Sequence, residues 1–194
     1  LTVAEVAVPT AIPNLSLVPA NKALADFPMA VAAHPDRERK LEQKLSGLQG
    51  YDFVLLDSPP SSGLVTTNIF LATQEVVVPV ALTYLALDGC AEILGTVARM
   101  QEQYGKTDLS VSLVVPTLYR RTALADEILG KLQSYFPDTL CKTALGLSVK
   151  IDEAQSHGRT IWEYAPKSKG AEMLAAIARE LLNRDKREKK ASAA

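Results

Sequence analysis

Three short stretches limit the folds open to this chain more than any other feature: DFVLLD (52–57), EVVVPV (75–80) and LSVSLVVP (109–116). Their centres are apolar at nearly every position. A strand with one wet face alternates apolar and polar residues, whereas a strand covered on both faces reads as an unbroken apolar run. These runs therefore predict buried strands, and NLSLVP (14–19) and, more weakly, TLCKTA (139–144) add to the set. Helical patterns fall between them. Residues 34–49 carry Pro35 where a first turn accepts it and a charged outer face. Residues 63–73 form a shorter candidate. Leu87, Ala91, Leu94 and Ala98 share a stripe in 86–104; Leu124, Ile128, Leu132 and Tyr135 do so in 122–136; Met173, Leu174, Ile177 and Leu181 do so in 170–183. This alternation predicts an α/β fold: a mainly parallel sheet with helices on both faces.

The 194 residues suffice for one sizeable core. The expected organisation is one α/β domain over 1–183 and a polar tail over 184–194, disordered or the solvated end of a helix. The net charge of -1 gives the whole chain no field favouring nucleic acid or an acidic partner, so anion binding needs a local patch. Cys90 and Cys141 have no metal-ligand neighbours, and a reduced, intracellular chain is the simplest expectation, a disulfide the lesser one. No apolar run approaches the roughly 18 residues of a membrane span, and no signal peptide is visible. The chain opens on Leu1 rather than methionine, which fits a fragment or a processed form.

Parallel sheets bind ligands beyond the carboxyl ends of their strands, and Asp57 is expected at such an end. One reading makes it a helix cap or turn carboxylate. The other makes it a Walker B acid, holding a water on the Mg²⁺ of a bound nucleotide. Pro59 and Pro60 fix φ and lack an amide hydrogen, so they stop the strand. Ser58, Ser61, Ser62 and Gly63 complete a small-residue switch loop able to sense a γ-phosphate.

The whole stretch YDFVLLDSPPSSG (51–63) resembles the YDYIIIDCPPSLG-like segment of the ParA (Soj-like) partition ATPases, within the MinD/ParA group of deviant-Walker P-loop proteins. The resemblance continues in order. TYLALDG (83–89) is similar to an EYLALEG-like stretch, Arg121-Thr122 to an RT pair after a strand, and KIDEAQSHGRTI (150–161) to RLSEAPSHGKPI. EYAPKSKGAE (163–172) is similar to EYDPKSRGAE, and IPNLSLVPAN (12–21) to the segment before the Walker B strand. The likeness covers about residues 10–183 and implies a P-loop NTPase-like fold. It implies Mg-ATP as cofactor of the full-length family, with no cofactor as the alternative for this chain alone, Asp57 on Mg²⁺ through water, and ATP-driven homodimerisation. It also implies nonspecific DNA binding, stimulation by a ParB-like centromere-binding partner, and a cytoplasmic, nucleoid-associated bacterial protein without a membrane partner. Arg121 and Lys150 match the family's DNA-contacting arginines; two cations on one surface bind phosphates without reading sequence. Lys150 keeps the charge but loses the bidentate fork. Arg120 and Lys142 are candidates to extend the patch. Leu145, Gly146, Leu147 and Ser148 match an IPRN-like turn that frames the nucleotide base, with Gly146 and Ser148 as the nucleotide-binding candidates.

The family's N-terminal KGGVGKT-like loop has no counterpart in these residues. Gly105-Lys106-Thr107 imitates its end, but the glycine a P-loop needs five residues earlier is Met100, and the tripeptide follows a helix. Gly105 reads instead as a helix terminator. The polypeptide alone is accordingly expected to hydrolyse ATP poorly. The leading reading is a ParA-type partition ATPase met without its Walker A portion. The alternative is a non-catalytic DNA-binding or dimerisation module derived from that fold. A MinD-like membrane-cycling ATPase ranks below both, because no bulky apolar face follows Leu182. His157 with Asp152 and Glu153 suggests acid–base chemistry, but no nucleophile motif accompanies them, and a polar loop near the nucleotide edge is preferred. Trp162 and Tyr164 are read as packing or interface residues, Cys90 as core.

Overall fold

The computed structural model describes residues 1–59, 63–84 and 86–192, without the side chains of 86 and 185–192. The chain divides into two compact units, Leu1–Gln74 with Arg99–Leu109, and Glu75–Ala98 with Ser110–Ala194.

In the first unit, helix α1 (Val3–Val6) starts on a capping box: the Thr2 hydroxyl accepts from the Glu5 amide while the Glu5 carboxylate accepts from the Thr2 amide. Strands β1 (Val8–Pro9) and β2 (Ser16–Leu17) pair antiparallel, so only two residues of the predicted 14–19 strand enter a ladder. A 3₁₀ turn, Lys22–Asp26, leads into α2 (Phe27–Ala30). The helix predicted over 34–49 contracts to a 3₁₀ turn, Arg37–Arg39, and α3 (Lys40–Leu45). The cause is Asn68, buried on α4 (Leu64–Ala72). An α-helix through this region would bond the Leu41 amide to the Arg37 carbonyl. Asn68 takes both groups instead: its Oδ1 accepts from Leu41 N at 3.0 Å and its Nδ2 donates to Arg37 O at 2.9 Å. Phe70, Leu71, Met100 and Leu109 are this unit's buried apolar residues.

The run 52–57 is not a strand. Residues 53–59 carry no regular secondary structure, and Phe53, Val54 and Leu55 are exposed, Leu55 by 82 %. The pattern was right for a strand covered on both faces, but among the described residues no strand forms a ladder with it, and ladder bonds exist only between two segments.

The second unit meets the expectation for parallel strands. Strand β3 (Glu75–Ala81) pairs parallel with β4 (Ser110–Thr117), setting Val78 beside Val114. Helix α5 (Ala86–Tyr104) connects them and extends into the first unit's segment. After β4 come α6 (Ala123–Tyr135), α7 (Val149–Ser156), α8 (Ile161–Tyr164) and α9 (Lys169–Ser192). Successive residues of β4 serve opposite faces. Val114 joins Val80, Cys90, Ile128 and Leu132 on one side; Leu113 and Val115 join Cys141, Ile177 and Leu181 on the other. Helices therefore cover both faces, and the apolar run is explained. The predicted strand at 139–144 reduces to one parallel bridge, Val114 to Leu140, held by Val114 N to Thr139 O at 2.9 Å and Cys141 N to Val114 O at 2.8 Å. Both cysteines are buried and free.

Helix α9 continues to Ser192, so residues 184–192 follow the helix-end reading of the polar tail. Arg184 fastens it, donating to the carbonyls of Asp138, Ser112 and Leu140 and pairing with Glu180 at 3.1 Å. The other Glu180 oxygen accepts from the Cys141 thiol and the Lys142 amide. Among the described residues no helix is long and apolar enough to cross a membrane.

Candidate functional site

Asp57 lies in the first unit, at the end of the unladdered run. Its side chain is exposed, and among the described residues no hydrogen bond or ion pair engages it. The helix-cap alternative fails: the N-cap of α4 is Gly63, without a side-chain cap. An uncommitted carboxylate fits the role of accepting from a Mg²⁺-bound water. Mg²⁺ keeps several waters and takes its remaining ligands from one or two carboxylates and substrate phosphates, so the protein need supply little more. No cluster of three or more His, Cys, Asp or Glu side chains suited to a metal occurs among the described residues. Of the switch loop, Ser58, Pro59 and Gly63 are described, while Pro60, Ser61 and Ser62 lie outside the described residues.

The imitation P-loop is settled by its backbone. Gly105 takes φ +65°, in the left-handed region, directly after α5 ends, and the Lys106 amide returns to Met100 O at 3.3 Å. This is helix termination. Lys106 is buried and pairs with Asp108 at 3.1 Å, so its ammonium is committed.

Gly146, Ser148, Arg121 and Lys150 all belong to the second unit. Strand β4 ends at Thr117, and the next residue, Leu118, takes a φ of +54°, uncommon for a residue with a branched side chain. That turn brings Tyr119 beside the 145–147 segment: Tyr119 N donates to Leu145 O at 3.1 Å and Leu147 N to Tyr119 O at 3.3 Å. Gly146 thereby bridges Tyr119, and its amide donates to the Met173 sulfur at 3.4 Å. Ser148 is the N-cap of α7, with no side-chain capping bond. Its hydroxyl lies where a Cβ on Gly170 would come within 2.7 Å, and Ile151 Cγ1 within 2.9 Å. Gly170 is thus what lets α9 start against α7.

The cations differ in their surroundings. Arg121 is exposed beside Tyr119, whose hydroxyl donates to Asp126 Oδ1 at 2.9 Å. That bond chiefly raises the Tyr119 pKa, and Arg121 opposes it. Arg120 and Lys142 are exposed as well. Lys150 is paired: its Nζ lies 2.7 Å from Glu153 Oε2 and 5.9 Å above the centre of the Tyr164 ring. The same Glu153 oxygen accepts from the Tyr164 hydroxyl at 3.1 Å, and His157 stacks on Tyr164 at 5.3 Å. Lys150 first, then Tyr164, hold the Glu153 carboxyl below its ordinary range; Glu153 in turn raises Lys150. Glu153 and His157 are therefore engaged with neighbours and form no acid–base pair. Trp162 is half-exposed, and Cys90 is core, as expected. The residues that sequence reasoning missed are Tyr119, Gly170 and the role of Glu153. Only the i, i+3 spacing of Lys150 and Glu153 signalled one of them.

Comparison with known proteins places this geometry. The AAA domain family profile matches residues 1–111. The sporulation initiation inhibitor protein Soj of Bacillus subtilis is 36 % identical over 174 residues, 89 % of this chain and 68 % of that protein. The chromosome-partitioning ATPase Soj of Treponema pallidum is 36 % identical over 178 residues, 91 % of this chain and 70 % of that protein. The cobyrinic acid a,c-diamide synthase of Mycobacterium smegmatis, solved with bound ADP and magnesium, superposes with a TM-score of 0.75 at 29 % identity, over 96 % of this chain and 69 % of that one. The fold is that of the α/β P-loop ATPase class. Within it, the chain belongs to the Soj/ParA family of partition ATPases.

Proposed function

We propose that this chain supplies the Mg²⁺-water carboxylate, the second switch, part of the base-framing turn and the DNA-contacting surface of a ParA-type partition ATPase. The reading is carried by the 36 % identity with Bacillus subtilis Soj over 174 residues. Asp57 accepts from a water on Mg²⁺, and Ser58 to Gly63 follow the γ-phosphate. Gly146 and Ser148 flank the nucleotide base. Bound Mg²⁺ neutralises phosphate charge during transfer to water. Arg121 and Lys150 contact DNA phosphates, which gives sequence-independent, salt-sensitive binding. The partners are a second copy of the chain, nonspecific DNA and a ParB-like protein, and the compartment is the nucleoid-bearing cytoplasm.

Calorimetry of Mg-ATP against the 194-residue chain tests the nucleotide half. Binding that Asp57→Ala weakens supports it. Binding indifferent to Asp57→Ala removes the carboxylate from the Mg²⁺ site. Absence of binding favours the second reading, a DNA-binding or dimerisation module.

A further inference from the structure

We propose that Glu153 is a built-in competitor for the phosphate that Lys150 would contact, a carboxylate latch that lowers DNA affinity by occupying the cation in the free protein; the inference rests on the DNA-binding reading above. The geometry is specific. Lys150 Nζ and Glu153 Oε2 are 2.7 Å apart one helical turn from each other on α7. A side chain that merely balanced surface charge would be free to leave with the lysine. Glu153 is not, because its Oε2 is also held at 3.1 Å by the hydroxyl of Tyr164, which His157 stacks against. When Lys150 turns to a phosphate, the carboxylate stays behind, next to the incoming negative charge. Binding therefore has to break an exposed ion pair and tolerate a fixed anion.

Such pairs are weak, so the latch tunes affinity and does not block it. Left by Lys150, the carboxylate takes up a cation from solution as the phosphate arrives, which offsets the release of one counterion from the DNA.

The test is fluorescence anisotropy of a labelled random-sequence duplex, titrated with the whole chain at several salt concentrations. Glu153→Gln removes the charge and keeps an acceptor for Tyr164. It is expected to tighten binding about two- to five-fold at low salt and to steepen the logarithmic salt slope by up to about 0.9. The gain is expected to shrink when Lys150→Ala is also present. Glu127→Gln, which removes an equal charge from the exposed Glu127–Lys131 pair on α6, is the control. An unchanged affinity and slope in Glu153→Gln overturns the latch while leaving DNA binding intact. A gain equal to that of Glu127→Gln, or undiminished beside Lys150→Ala, also overturns it, since net charge then accounts for the effect. Failure of both wild type and Glu153→Gln to bind at low salt overturns the latch together with the DNA-binding reading.

Discussion

Residues 52–57 and 109–116 carry the same kind of apolar pattern, yet they end in opposite states. In the second run, Leu113 and Val114 are fully buried, with β3 alongside and helices above and below. In the first, Leu55 is 82 % exposed and residues 53–59 join no ladder. Composition therefore did not decide between them. A strand's backbone groups are satisfied by a neighbour, and its side chains by covering layers. The second run has both inside its own unit; the first joins no ladder among the described residues and leaves Leu55 exposed.

The largest expected effect separates the two runs directly. Leu113→Ala should destabilise the protein by about 2–5 kcal/mol in chemical denaturation, whereas Leu55→Ala should stay within about 0.5 kcal/mol. Equal losses would break the contrast, because Leu55 would then be covered in solution. Next is Gly170→Ala. A new Cβ would press on Ser148 and Ile151, and overpacking of this kind costs about 1–3 kcal/mol. A neutral result would mean that the second unit packs less tightly at α7 and α9 than these distances require.

Two smaller effects come from protons. Burial pushes the Cys141 thiol up to about 11 from an ordinary 9.0, and its bond to Glu180 adds to the rise. The folded chain therefore holds that proton more tightly than the unfolded one. Stability should be complete below pH 9 and decline as pH rises towards 11, and Cys141→Ala should flatten that limb of the thermal-melting profile. Glu180 runs the other way. Burial alone would raise it, but Arg184, the Lys142 amide and the Cys141 thiol together hold it below 4.5. Its contribution should be present above that value and fade as pH falls through the lowered folded pKa, and Arg184→Ala should shrink the acid limb. Profiles unchanged by either substitution would separate the α9 anchor from the packing contrast.

Much of the second unit could be read from sequence, because its signals were local and consistent. The α5 boundaries followed from an apolar stripe, and β3 and β4 from β-branched runs bounded by turns. The failures have non-local causes. Nothing near residue 37 announces that Asn68 will take the groups that would extend α3 upstream. Leu118 has no feature marking it for a positive φ; the turn is imposed by the bonds of Tyr119 to 145–147. At the candidate site, an apolar run ended by prolines singled out Asp57, whereas Arg121 and Lys150 were proposed only through the resemblance to the ParA family. The engagement of Lys150 with Glu153 and Tyr164 needed coordinates, because α8 must fold back beside α7 to supply the hydroxyl.

The two-sided cover of β4 also has a consequence for how the chain is made. A ribosome delivers residues in order, so Ser110–Thr117 emerges well before Ile177 and Leu181, which cover its second face. Until the start of α9 has left the exit tunnel, Leu113 and Val115 meet water or a chaperone. The nascent chain is therefore most vulnerable late in synthesis, with its innermost strand made and half of its shelter still to come.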